Sequence, residues 1–140
     1  MSPALSVTRI AHPATMAPLR ILLVDDNRDT LEYANLVLRR AGHVVEKAAS
    51  IAEARSLLAS CSFDLMISDI ELLDGTGFDL MREVGGRFPA IALSGFGSDD
   101  DLKMSEHAGF AAHLTKPVDA RTLQSAIAEV THAWSATRSE

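Results

Sequence analysis

The sequence predicts an α/β fold in which five parallel strands form one doubly wound sheet, with five helices covering its faces. Short continuous apolar runs alternate with stretches whose apolar residues recur at helical spacing, and this alternation repeats five times along the 140 residues, the pattern of βα units around a parallel sheet. The run Ile21-Leu22-Leu23-Val24 is apolar at every position rather than at every second one, as a strand buried on both faces is. Connections between parallel strands are right-handed, and for five such units the strand order 2-1-3-4-5 is the natural arrangement.

The first strand is Ile21 to Val24, and a helix from about Asp29 to Arg40 follows, with Leu31, Ala34 and Leu38 on one face and Gly42 at its end. Val44-Val45 marks a short second strand. Ser50 is the N-cap expected of a helix carrying Ala54, Leu57, Leu58 and Cys61 at i, i+3, i+4 and i+7, which makes Cys61 a small core residue. Residues 63 to 68 form the third strand and lead into Asp69, after which Asp74-Gly75-Thr76-Gly77 signals a turn. Gly77, Leu80, Met81 and Val84 line the next helix, which Gly85-Gly86 ends.

Ala90 to Leu93 is the fourth strand. Asp99 to Ala108 opens on acids suited to a helix amino terminus but offers only Leu102 and Met104 as large apolar residues, so this helix should be the least firmly held. Ala111 to Leu114 is the fifth strand. From about Asp119 a last helix places Leu123, Ala126, Ile127, Val130 and Trp134 on one stripe, so Trp134 reads first as core packing and second as a partner contact.

Composition excludes several classes. A chain of 140 residues that is 47% hydrophobic buries a core without disulfides or a structural metal and leaves no room for a second domain. Its net charge of −6 and the lack of a Lys/Arg cluster argue against nucleic-acid binding. The single cysteine forbids an intrachain disulfide and favours a reducing compartment. No apolar stretch approaches the roughly 18 residues of a membrane span, so a cytoplasmic location is expected. Residues 1–19 contain Pro3, Pro13 and Pro18 and no acid, and read as a disordered lead. A transit peptide would share the lack of acids, but Arg9 is the only Arg or Lys there, and Met16 offers a second translation start.

The polar residues at the strand ends carry the chemistry. Asp25 and Asp26, Asp69, Ser94 and Lys116 all fall at the carboxyl edge of the expected sheet, where open α/β sheets bind ligands. Three carboxylates that close repel one another, and a hard cation with oxygen ligands such as Mg²⁺ offsets their charge. A carboxylate can attack phosphorus and form an acyl phosphate. Lys116 would supply a second positive charge to the phosphoryl oxygens and Ser94 a hydrogen bond.

Val24-Asp25-Asp26-Asn27, Ser68-Asp69-Ile70, Asp74-Gly75, Leu93-Ser94-Gly95 and Thr115-Lys116-Pro117 together resemble the receiver domain of two-component response regulators. Each motif alone is weak; five in the right order at the right strand ends are specific. The resemblance covers residues 20 to about 131, leaves 132–140 as a tail, and implies a flavodoxin-like fold. It implies Asp69 as phosphoacceptor, Lys116 as phosphoryl counter-charge, and a Mg²⁺ site of Asp26, Asp69 and the Glu71 backbone carbonyl, with Asp25 acting mainly through water. It also implies a cis Lys116-Pro117 bond, which costs little before proline.

Receivers switch when phosphate draws in the fourth-strand hydroxyl and a fifth-strand aromatic turns inward. By this likeness Ser94 fills the hydroxyl position, and His113 stands where Tyr or Phe is usual; the alternative is a half-buried strand histidine with no switching role. Glu71 and Phe96 occupy positions that border the phosphoryl group and influence its lifetime, Glu71 through added negative charge or by orienting water. The expected phosphoryl donor is a histidine kinase or a histidine phosphotransfer protein, docking on Arg28, Pro117 and Val118. The segment from Ser94 to Asp119 looks more like receivers of hybrid sensor kinases than those of DNA-binding regulators. A stand-alone receiver, a phosphate sink and a detached receiver of such a kinase are the readings carried forward, with homodimerisation through helix 99–108 and the last helix left open. An aspartyl-phosphate phosphohydrolase would use a similar acid, Mg²⁺ and Lys. Its motif, however, wants Asp where Glu71 stands and Thr where Leu73 stands, and this chain has no length for a cap domain. The chain therefore reads as a phosphate carrier rather than an enzyme.

Overall fold

The computed structural model describes residues 17–95 and 99–138. Most of the expected lead, with Met16, and Phe96 lie outside the described residues. Strands β1 (Arg20–Val24), β2 (Val44–Ala48), β3 (Leu65–Asp69), β4 (Ala90–Ser94) and β5 (Ala112–Thr115) form one parallel sheet in the order β2-β1-β3-β4-β5. Helices α1 (Arg28–Arg40), α2 (Ile51–Ser60), α3 (Gly77–Val84), α4 (Asp99–Ala108) and α5 (Ala120–Arg138) connect and cover it. This is the flavodoxin-like, doubly wound architecture.

Alternation along the strands divides the core in two. Leu22, Val24, Met66, Ala90 and Ala92 pack under α2 and α3 with Ile51, Ala54, Leu58, Leu80, Val84 and Phe110. Ile21, Leu23, Leu65, Ile67, Ile91 and Leu93 pack on the opposite face with Leu31, Ala34, Val37 and Leu38 of α1 and Leu123, Ala126, Ile127 and Val130 of α5. Cys61 packs against the first of these cores as a half-buried residue.

Local chemistry sets most boundaries. The Ser50 hydroxyl accepts the Glu53 N–H at 3.1 Å and starts α2, and a Thr76/Asp79 capping box starts α3. Gly85, at φ 59°, ends α3 in the left-handed region. Most element ends fall within one or two residues of the sequence reading, the third strand starting at Leu65 rather than 63 and the fifth running Ala112–Thr115, and larger differences have physical causes. β2 runs on through Glu46 and Lys47 to Ala48, because β1 supplies a ladder partner at every position. Residues 71–72 pair antiparallel with 75–76 in a small ladder that the turn signal alone does not specify. α5 continues to Arg138, beyond the Trp134 at which the apolar stripe ends, since no Gly or Pro stands between Asp119 and Arg138 to stop it. Trp134 is accordingly not core: half-buried, it lines an open groove of about 530 Å³ with Ala111, Ala112 and Glu129. Among the described residues no helix is long and apolar enough to cross a membrane.

Candidate functional site

The carboxyl edge of β1 and β3 brings three acids together. Immediately after β1, the Asp25 N–H still donates to Ala48 O of β2 at 3.1 Å, so the residue is held as the last rung of the sheet. Its Oδ1 accepts the Asn27 N–H at 2.9 Å, and Asn27 Oδ1 in turn caps α1 by accepting the Thr30 N–H at 3.0 Å. One short run thus ends a strand, builds an acid site and starts a helix. Asp25 is 1% exposed, Asp69 8%, and Asp26 half-buried. Carboxylate oxygens of all three lie within 4.8 Å of one another.

Lys116 comes in from the end of β5. Its N–H donates to Ser94 O at 2.7 Å, fixing it beside the end of β4, and the Lys116–Pro117 bond is cis. The ammonium lies 2.8 Å from Asp25 Oδ2 and donates to Asp69 Oδ2 at 2.9 Å. Asp69 Oδ1 accepts the Glu71 N–H at 3.2 Å. Beyond this contact with the ammonium, the buried Asp25 Oδ2 has no further hydrogen bond.

Burial sets the electrostatics. It pushes the Asp25 carboxyl above its ordinary range, and the Asp69 charge adds to this; contact with Lys116 and the Asn27 N–H oppose the rise without cancelling it. For Lys116 burial alone would lower the ammonium, but contact with Asp25 and Asp69 outweighs it and holds the group above the usual lysine value. Lys116 stays charged, and one ammonium cannot offset three carboxylates. The residues fit a divalent cation on two observations: the convergent oxygens of three acids, and a buried Asp25 Oδ2 whose one contact, the Lys116 ammonium, is shared with Asp69.

The backbone around Asp69 is fixed as tightly as its side chain. Ile70 N donates to Leu93 O at 3.0 Å and Gly77 N to Ile70 O at 2.7 Å. The fully buried Ser68 hydroxyl donates to Asp69 O at 2.8 Å. A Cβ at Gly77 would stand 2.6 Å from Asp69 O and 3.2 Å from Ser68 Oγ. Gly77 therefore supports the site, a role its place on an apolar helix stripe does not reveal; a glycine at a helix start, eight residues after the candidate acid, is the available signal. Asp74 was also more than a turn residue: its carboxylate accepts Ile51 N at 2.9 Å and Ala52 N at 3.1 Å, tying the loop to the start of α2.

The remaining candidates separate. Ser94 is buried at the end of β4. Glu71 is exposed, with its backbone in the small ladder beside Asp69. Arg28 and Pro117 are exposed, whereas Val118 is half-buried and packs on the α1/α5 core, which leaves it less surface to offer. His113 is half-buried on β5, and its Nδ1 lies 2.8 Å from Ser105 Oγ of α4.

Residues 21–128 match the family model for the response regulator receiver domain. Over 110 residues the chain is 36% identical to an uncharacterized 14.6 kDa protein of Leptolyngbya boryana, a match covering 75% of this chain and 84% of that one. It is 35% identical over 116 residues to the response regulator protein PilR of Pseudomonas aeruginosa, where 81% of this chain matches only 26% of the relative. The crystal structure of a CheY-like response regulator receiver domain protein from Methanospirillum hungatei superimposes with a TM-score of 0.77 at 31% identity, covering 84% of this chain and 96% of that one.

Proposed function

Because the chain belongs to the response regulator receiver family of two-component systems, we propose that Asp69 accepts a phosphoryl group from a phosphohistidine of a histidine kinase or histidine phosphotransfer protein. The observation that carries this reading is the buried Asp69 carboxylate held between the Lys116 ammonium and the acids Asp25 and Asp26. In the transfer an Asp69 oxygen bonds to phosphorus as the phosphorus–nitrogen bond breaks, and the electron pair leaves with the imidazole. Lys116, already in contact with Asp69, meets the charge on the incoming phosphoryl oxygens.

Asp25, Asp26, Asp69 and the Glu71 carbonyl would hold Mg²⁺, which when bound offsets the carboxylates and the phosphoryl charge. Ser94 would hydrogen-bond a phosphoryl oxygen, with His113 as the switch residue and Glu71 and Phe96 tuning phosphoryl lifetime. Arg28 and Pro117, exposed beside the site, suit docking of the donor. Asp69 is then a transient carrier rather than a catalyst of turnover.

Incubation with Mg²⁺ and a small acyl-phosphate donor tests the reading. Mass spectrometry should find one phosphoryl adduct that disappears in Asp69→Asn and without the metal; an adduct that persists in Asp69→Asn refutes the assignment. Comparing the binding of a partner to the phosphorylated and unmodified protein separates a conformational switch from a phosphate sink.

A further inference from the structure

We propose that Ser105 is a positioning residue whose hydroxyl latches α4 to β5 through His113. α4 is docked unlike its neighbours. Its large apolar side chains, Leu102 and Met104, are 37% and 54% exposed, whereas Ser105 is 1% exposed. Among the described side chains of α4, Ser105 is the only one fully buried. Strand alternation explains what it meets: Ala112 and Leu114 pack toward the α1/α5 core, so His113 between them turns to the opposite face. There its Nδ1 lies 2.8 Å from Ser105 Oγ, while its Nε2 is buried without a hydrogen-bond partner.

A helix docked by apolar area resists lifting. One docked through a polar contact opens at the cost of about one net hydrogen bond, and opening lets water reach the dry Nε2, which offsets part of that cost. β5 carries the consequence toward the acid site, because Lys116 follows His113 by three residues and contacts Asp25 and Asp69. The latch is a property of the unmodified chain. It does not rest on the phosphoacceptor reading.

Native-state hydrogen exchange on the full chain, with no phosphoryl donor present, tests the latch. Ser105→Ala should speed exchange of the α4 amides roughly threefold to tenfold, the change expected from one net hydrogen bond, while β1 and β3 amides keep their protection. Alanine is the better helix former, so propensity alone would slow exchange. Adding Ser105→Ala to His113→Phe should loosen α4 no further than His113→Phe alone, since a bond is removed only once. The ring carbon-13 shifts of His113 should also change in Ser105→Ala, reporting a new tautomer balance. Unchanged or slower α4 exchange in Ser105→Ala, or additive effects in the double variant, overturns the latch. Should His113→Phe also deprotect β1 and β3, the exchange and ring shifts of Ser105→Ala decide by themselves. A missing phosphoryl adduct would sink the phosphoacceptor reading and leave these results standing.

Discussion

Replacing Gly77 with alanine sets two effects of opposite sign against each other. At the start of α3 the change should help, because alanine is favoured over glycine in a helix by up to about 1 kcal/mol. The structure opposes it: the new methyl would stand 2.6 Å from Asp69 O and 3.3 Å from Ile70 Cα. Neither neighbour gives way easily. Asp69 O accepts the Ser68 hydroxyl, Ile70 N is bonded to Leu93 O, and Gly77 N is bonded to Ile70 O, so the strand end and the helix start would have to part. Overpacking of this kind typically costs about 1–3 kcal/mol, which after the full helix-propensity gain leaves a net loss of up to about 2 kcal/mol. The displacement falls on the peptide of Asp69, so phosphorylation should slow along with the loss of stability. Urea denaturation measures the first effect and adduct formation against time the second. A stabilised Gly77→Ala protein that is phosphorylated at the parent rate would show that propensity wins and that the close approach is not required.

On the function proposed above, Glu71→Asn should change the decay rate of the phosphorylated protein severalfold, because the exposed Glu71 carboxylate, whose backbone N–H bonds Asp69, would act on the phosphoryl group or on the attacking water; equal decay of the two proteins rules that out. His43, 7% exposed and accepting the Leu19 N–H at 3.0 Å, is held by burial below its ordinary value of 6.5. As pH falls below 6.5 the unfolded chain takes up this proton first, so the stability associated with neutral His43 is present above that pH and declines beneath it. His43→Gln should therefore lose less melting temperature than the parent between about pH 7.5 and pH 5; parallel losses would refute it.

Much of the fold is legible in the sequence because buried parallel strands must be apolar throughout and their covering helices must not. The acid site is legible for a similar reason, since charged residues that abruptly end apolar runs are conspicuous. Legibility fails where a residue's role depends on what another segment brings to it. Glu46 and Lys47 look unlike a strand, yet β1 pairs with them. Trp134 fits the α5 stripe, yet that helix outruns the core, and its last turns face a groove rather than packed strands.

The sequence by itself determined the five strands, the five helices and which acids and lysine share an edge, because periodicity and strand ends are local properties. Only the tertiary structure decided that Lys116 contacts Asp25 as well as Asp69, that Gly77 must lack a side chain beside Asp69, and that Ser105 is paired with His113. Each of these joins residues from separate βα units. Their separation in space is set by how helices pack on the sheet, and no spacing along the chain encodes it.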